Sequence, residues 1–232
     1  MAEGTDQNCL PAGFSGRVRL FPLPNLVLFP HAAQPLHIFE PRYLSLVDEA
    51  LSTDRLITMA LLQAGWKKDY ESAPPIDETV CIGRILTYAR QHDGRLNLFL
   101  AGVQRARVVR ELNADSLYRQ AEVQLLEDFY PKSGSSIRSN MKRRLLQTSR
   151  NFLAAHSGAI SQFDKVADSD IQLGALTDIL AFSLNLGLLN KQELLAEVNV
   201  DRRAEMLLTL VSETLSTSDV RVAGYPPDFS LN

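Results

Sequence analysis

The chain has 232 residues, 45% of them hydrophobic and 22% charged. That is enough apolar material for one large core or two small ones, and it excludes disorder over most of the length. The formal charge of −3 supplies no general positive field, so nothing draws the molecule as a whole to nucleic acid or to an anionic membrane.

Residues 1–16 carry small and polar types with little periodicity and read as a flexible leader. They lack the basic residues and apolar run of a secretory signal. From Arg17 to Leu28 the leucines and valines read as a strand, but Pro22 and Pro24 require it to lie at an edge or to be broken by a turn. In "PLHIFEPRYLSLVDEAL", residues 35–51, Leu36 and Ile38 alternate as in a strand, whereas Leu44, Val47 and Leu51 recur at helical spacing. Pro41 marks the switch, since its ring suits the first turn of a helix. Arg55 to Gln63 reads as a fully buried strand, too short to cross a bilayer. Residues 64–79 form a loop holding Trp66, the only tryptophan, and Tyr70.

Long strands follow: Ile82 to Arg90, a turn at Gln91-His92-Asp93-Gly94, then Leu96 to Val103 and Ala106 to Leu112. Asp93-Gly94 between apolar runs is a hairpin signal, because glycine accepts the positive φ of such turns. Gly102 reads as a bulge or a close backbone approach. Arg105 and Arg107 alternate onto one face and need carboxylate partners where covered, with Glu40 and Asp48 as candidates. Tyr118 to Phe129 makes one more strand. Strands at short spacing with one intervening helix give a mainly antiparallel barrel or sandwich.

After Pro131 the pattern becomes helical. Residues 137–155 place Met141, Leu145, Phe152 and Leu153 near one face. Ser169 with Gln172 makes a capping box before Ile171 to Leu186, Gly187 stands at the C-terminal cap, and Asn190 with Glu193 repeats the capping signature. Asp201 caps a last helix striped with Ala204, Leu207, Leu208, Val211 and Leu215. The division is a leader at 1–16, a β-barrel subdomain at 17–130, a helical subdomain at 131–218 and a loose tail at 219–232.

Sequence motifs for chemistry are sparse. No Gly-Lys-Ser or Gly-Lys-Thr phosphate loop occurs, and no Gly-x-Ser-x-Gly nucleophile elbow. His31, His37, His92 and His156 are scattered without metal-ligand spacing. Cys9 and Cys81 make neither a disulfide framework nor a zinc pair, which fits a reducing, cytoplasmic setting. No catalytic residue, metal or cofactor is therefore expected. Lys132, Arg138, Lys142, Arg143, Arg144 and Arg150 cluster without an intervening acid. Lys142, Arg143 and Arg144 are the centre of a candidate anion patch, weighed against a solvated helix face.

The segments "FPLPNLVLFPHAAQPLHIFEPRYLSLVDEAL", "AGVQRARV" and "LLNKQELLAEVNVDRRAEMLLTLV" resemble, in order and spacing, the N-terminal substrate-binding domain of the ATP-dependent protease Lon. That domain also occurs alone in small bacterial proteins and within cereblon. The resemblance implies an α+β fold, a PUA-like six-stranded pseudo-barrel followed by a helical bundle. It implies a non-enzymatic module that holds unfolded or partly unfolded polypeptides, with a proteolytic ATPase as a partner in trans, since this chain ends before the ATPase and protease domains would begin. In the family's strand-to-helix corner, Phe39 and Tyr43 are expected as core anchors and Glu40 and Arg42 as polar partners. Trp66 and Tyr70 are the candidate peptide contacts, because aromatic side chains dominate binding hot spots. Two alternatives stay open: RNA binding through the basic segment 132–150, and a small-molecule site in the barrel mouth.

Overall fold

The computed structural model describes residues 9–68, 73–134, 137–154, 170–216 and 230–231. The chain divides at Leu126 and Glu127 into two compact units, with Phe229–Asn232 belonging to the first.

The first unit contains β1 (Arg17–Leu23), β2 (Ala33–Ile38), α1 (Pro41–Ser52), β3 (Leu56–Leu61), β4 (Thr79–Arg90), β5 (Leu96–Leu112), β6 (Gln120–Leu126) and β7 (Ser230–Leu231). The sheet order is β4-β3-β1-β6-β5-β2-β7, and β4 pairs again with β5. That second pairing closes β4, β3, β1, β6 and β5 into a barrel, with β2 beside the first half of β5 on the edge that β6 takes along its second half. The β1/β3 and β2/β7 pairs are parallel and the others antiparallel. Val18, Leu20, Leu56, Ala60, Val80, Ile82, Ala106, Ala121 and Val123 fill one core cluster. Every residue of β3 is buried, as its continuous apolar run requires.

Pro22 sits where β1 is paired on one side only, since the β6 pairing ends at Arg19 and Phe21 to Leu23 pair with β3, and β1 stops at Leu23 before Pro24. The expected flexible leader is corrected for residues 9–16: Leu10 and Phe14 pack against the core cluster, and Arg84 donates to the Cys9 carbonyl at 2.8 Å. The tail is not loose throughout either, since Ser230 and Leu231 pair with β2.

The Asp93-Gly94 hairpin forms as read, with Gly94 at φ 87 and Asp93 Oδ1 accepting from the Arg95 amide at 3.1 Å. The two strands expected at Leu96 to Val103 and Ala106 to Leu112 are one strand of 17 residues, β5. A Cβ at Gly102 would overlap the Phe29 carbonyl. The Gly102 amide donates to Ala32 O at 2.8 Å, and the His31 amide donates to Gly102 O at 3.0 Å. Glycine lets the segment before β2 run directly against β5.

The second unit contains α2 (Arg138–Ala154), α3 (Leu173–Ser183), α4 (Leu188–Ala196) and α5 (Val200–Ser216). Leu145, Leu176, Leu180, Leu194, Ala204, Leu207 and Val211 are buried; the side chains of Phe152, Leu153 and Leu215 lie outside the described residues. Several caps differ from expectation. Ser169 lies outside the described residues, and α3 begins after Gln172 with no side-chain cap. Gly187, at φ 77, precedes α4 instead of closing α3. Asn190 lies within α4 and donates to Leu186 O at 2.7 Å. Asn199 caps α5, accepting from the Asp201 amide at 3.1 Å and the Arg202 amide at 3.3 Å. This frees Asp201 to pair with Arg138 at 2.6 Å.

At the centre of the helical unit Arg203 is fully buried between Asp178 at 3.3 Å and Asp128 at 2.7 Å. Thr177 Oγ1 and the Glu197 carbonyl accept from the same guanidinium at 3.2 and 2.8 Å. Burial alone would lower the Arg203 pKa, but the carboxylates reverse the sign and hold it above its ordinary value. Nearby chemistry is quieter: burial pushes Lys191 down to about 8, and its Nζ donates to Phe182 O at 2.6 Å.

Gly102→Ala should cost about 2 kcal/mol or more, since any relief of the overlap must move strand backbone. Urea unfolding measures it; an unchanged midpoint would show that the Phe29 segment gives way freely.

Candidate functional site

The strand-to-helix corner is built from four neighbours that take two directions. Tyr43 points inward and is 2% exposed; its hydroxyl donates to Pro22 O at 3.1 Å and its ring meets Phe21 edge-on with centroids 4.2 Å apart. Arg42 lies over that ring at 4.7 Å and pairs with Glu40 at 2.8 Å. Glu40 also opens α1, its carbonyl accepting from the Tyr43 and Leu44 amides at 3.0 and 2.9 Å. Phe39 is 42% exposed, so it is not the core anchor expected. Leu36 and Ile38 are buried, and the two-residue period of the strand turns the next side chain outward.

A second set of contacts, absent from the sequence reading, fastens α1 to the barrel. Arg19 on β1 donates to Glu49 at 3.0 Å, Asp54 at 2.9 Å and Thr53 Oγ1 at 2.8 Å. Tyr118 donates its hydroxyl to the other Glu49 oxygen, and burial followed by that carboxylate pushes the phenol up to about 12. The alternation of Arg17 and Arg19 with buried Val18 and Leu20 was the available signal.

The expected pairing of Arg105 with Glu40 or Asp48 does not fit the register. Arg105 lies opposite Cys81 and Leu126, whereas Glu40 follows the end of β2 that pairs Ile38 with Leu96. Arg105 lies nine positions along β5 from Leu96, about 30 Å of strand. Glu40 pairs with Arg42, and Asp48 on α1 with Arg90 beside the hairpin. Arg105 is 2% exposed, while Arg107, on the same strand, is exposed.

Outside the barrel wall, β2, the first half of β5 and the end of β4 present one face. Phe99 lies opposite Pro35 and Thr87, and Asn97 lies opposite His37 and Ala89. Cross-strand partners share a face, so these six residues stand together, opposite the buried Leu36, Ile38, Leu98 and Leu100. Phe99 is 40% exposed. His37 Nδ1 and Asn97 Oδ1 are 2.6 Å apart, and the His37 ring lies 6.0 Å from Phe39. The result is two exposed aromatic rings fixed around a hydrogen-bonded His–Asn pair. Leu86, in the bulge beside Thr87, is partly exposed on its flank; Tyr88 is half exposed but by register belongs to the other face.

The sequence candidates fall elsewhere. Trp66 is half-buried on a short 3-10 turn (Trp66–Lys68), with Lys67 Nζ 5.9 Å from its ring. That turn follows the β3 end beside Cys81, at the opposite end of β4 from the aromatic face. Tyr70 lies outside the described residues. In the basic segment, Arg138 is committed to Asp201 and stacks 5.2 Å from Tyr130. Arg143 and Arg144 are exposed and Lys142 is half-buried, between the buried Met141 and Leu145 in the sequence of α2. Among the described residues no three His, Cys, Asp or Glu side chains gather as a metal site, and no helix is long and apolar enough to cross a membrane.

A PUA-like barrel followed in the chain by helices defines the class of the fold as α+β. The family profile described as "ATP-dependent protease La (LON) substrate-binding domain" matches residues 17–213, and the chain belongs to that family. Lon protease of Dictyoglomus thermophilum is 29% identical over 207 residues, covering 87% of this chain and 25% of that protein. Lon protease of Desulfosudis oleivorans is 25% identical over 200 residues, covering 85% of this chain and 24% of that protein. The chain thus spans about a quarter of the length of these curated relatives. Among solved structures, the Lon N-terminal domain protein from Xanthomonas campestris is 26% identical with a TM-score of 0.57, over 83% of this chain and 97% of that one. The N-terminal domain of Mycobacterium avium complex Lon protease has a TM-score of 0.64 at 17% identity, over 85% of this chain and 98% of that one, and shares the fold. The matches fall on the substrate-binding domain and not on a protease domain.

Because Phe39 faces out and Tyr43 faces in, truncating them should differ sharply. Phe39→Ala should change stability by less than about 1 kcal/mol, whereas Tyr43→Ala should cost about 3 kcal/mol or more. Chemical denaturation of both variants checks this; equal losses would return Phe39 to the core.

Proposed function

We propose that this protein is a non-enzymatic module that binds exposed apolar stretches of unfolded or partly unfolded polypeptides, for presentation to a proteolytic ATPase acting in trans. The observation that carries the reading is the face made by Phe39 and Phe99 around the His37–Asn97 pair. Phe39 and Phe99 are 42% and 40% exposed, which leaves apolar ring surface that a client can cover, and aromatic side chains give much contact area at little entropic cost. Membership in the Lon substrate-binding domain family supports the class of client. Among the described residues no ion pair lies at the centre of the face, so binding by this route depends weakly on salt. Trp66 enters the proposal as a second contact at the far end of β4. The cytoplasm, where the two cysteines stay reduced, is the proposed setting.

The test is fluorescence anisotropy of a labelled, permanently unfolded polypeptide titrated with the full chain. Phe39→Ala together with Phe99→Ala should weaken binding by about tenfold or more, the range of a hot-spot pair, with little change between low and high salt. Binding that survives both substitutions but is lost on neutralising Lys142, Arg143 and Arg144, and that falls steeply with salt for labelled single-stranded RNA, would move the function to the basic face of α2.

A further inference from the structure

In the helical unit, Lys191 is an amine held in an apolar setting at the joint between α3 and α4. It stands on α4 and reaches back past Gly187 to the end of α3, where its Nζ donates to Phe182 O at 2.6 Å. That oxygen is one of the last four carbonyls of α3, which a helix leaves without a partner of its own. The same nitrogen lies 5.7 Å from the centre of the Phe182 ring. Phe182 and Leu186 are buried, whereas Lys191 is half-buried and keeps partial contact with solvent. The amine is thus fixed in position and only partly hydrated. Its weak hold on a proton, with the pKa brought down to about 8, has burial as its cause.

We propose that Lys191 is an acylation site, at which the amine takes the acyl group of a small acyl phosphate, and that the product fastens α3 to α4 more firmly than the amine does. An ammonium has no lone pair to offer. A desolvated lysine becomes a nucleophile because its neutral form is the one its surroundings favour. In the step, the Nζ lone pair forms the new C–N bond to the acyl carbon, the C–O bond to phosphate breaks, and phosphate leaves with that electron pair. The proton that the nitrogen gives up passes to the departing phosphate or to water.

The product suits the joint better than the reactant. The new amide keeps one N–H, enough to donate to Phe182 O as the amine does. What it loses is the positive charge, and a charge drawn partly out of water is costly to hold. Acylation therefore removes the disfavoured feature and leaves the hydrogen bond in place, while the acyl carbon chain adds apolar surface beside the Phe182 ring. Lys67 and Lys132 are exposed and form the natural comparison. Access favours those two, and desolvation favours Lys191.

The experiment incubates the full chain with acetyl phosphate near neutral pH and follows acetylation of each lysine by peptide-resolved mass spectrometry. Lys191 should be modified about tenfold faster than Lys67 and Lys132, as desolvation activates an amine. The preference should vanish in urea, where the burial is gone. A second readout compares urea midpoints before and after acetylation in the original chain and in Lys191→Arg, which keeps a charge and offers the donor no amine. The midpoint should rise more in the original chain. Acetylation of Lys191 no faster than that of the exposed lysines would overturn the proposal. A preference that survives in urea would overturn it too, since local sequence and not the fold would then be its cause. A rise in midpoint no greater than that of Lys191→Arg would overturn the fastening of α3 to α4.

Discussion

The barrel unit depends on one strand having to serve three partners. The first half of β5 lies between β4 and β2, and its second half between β4 and β6. The exchange of neighbours happens near Gly102, where the segment from Phe29 to Ala32 crosses against the strand and hydrogen-bonds to it. Only a residue without a Cβ permits that crossing. Everything that gives the molecule a surface of interest follows from it. With β2 paired to the first half of β5, Phe99 and Asn97 come beside Pro35 and His37, and the chain then turns into α1 with Phe39 exposed. Tyr43 under Pro22 and the Arg19 contacts to Glu49, Thr53 and Asp54 keep that corner from drifting.

Part of this architecture was legible in the sequence. Strands first and helices later gave an α+β chain, the Asp93-Gly94 turn gave the hairpin, and the unbroken apolar run gave the buried β3. Glu40 and Arg42 were read as partners and stand 2.8 Å apart. Phe39 was misread because the resemblance set it beside Tyr43 as a core anchor, although the alternation of Leu36 and Ile38 already turned it outward. The Arg105 pairing failed for another reason: register is a nonlocal quantity, and nothing in the spacing of Arg105 and Glu40 tells which half of β5 meets β2. The caps of the helical unit were each displaced by a competing residue nearby, as when Asn199 took the role given to Asp201.

The candidate site was less legible than the fold. Trp66 drew attention as a lone tryptophan in a polar loop, yet the exposed rings that the fold brings together are Phe39 and Phe99, sixty positions apart in sequence and joined through the pairing of β2 with β5. The two units also distribute their polar groups differently. In the helical unit the charges are committed inward, Arg203 to two carboxylates and Arg138 to Asp201, and breaking such buried pairs is costly. In the barrel unit the face around His37 holds exposed apolar surface at Phe39 and Phe99.

The most direct test is hydrogen exchange followed by mass spectrometry on the full chain, with and without a saturating unfolded polypeptide. The account expects added protection in Ala33–Phe39 and in Leu96–Ala101, with the barrel interior unchanged. Protection confined to Arg138–Arg150, or to the segment around Trp66, would contradict it and place the binding surface elsewhere.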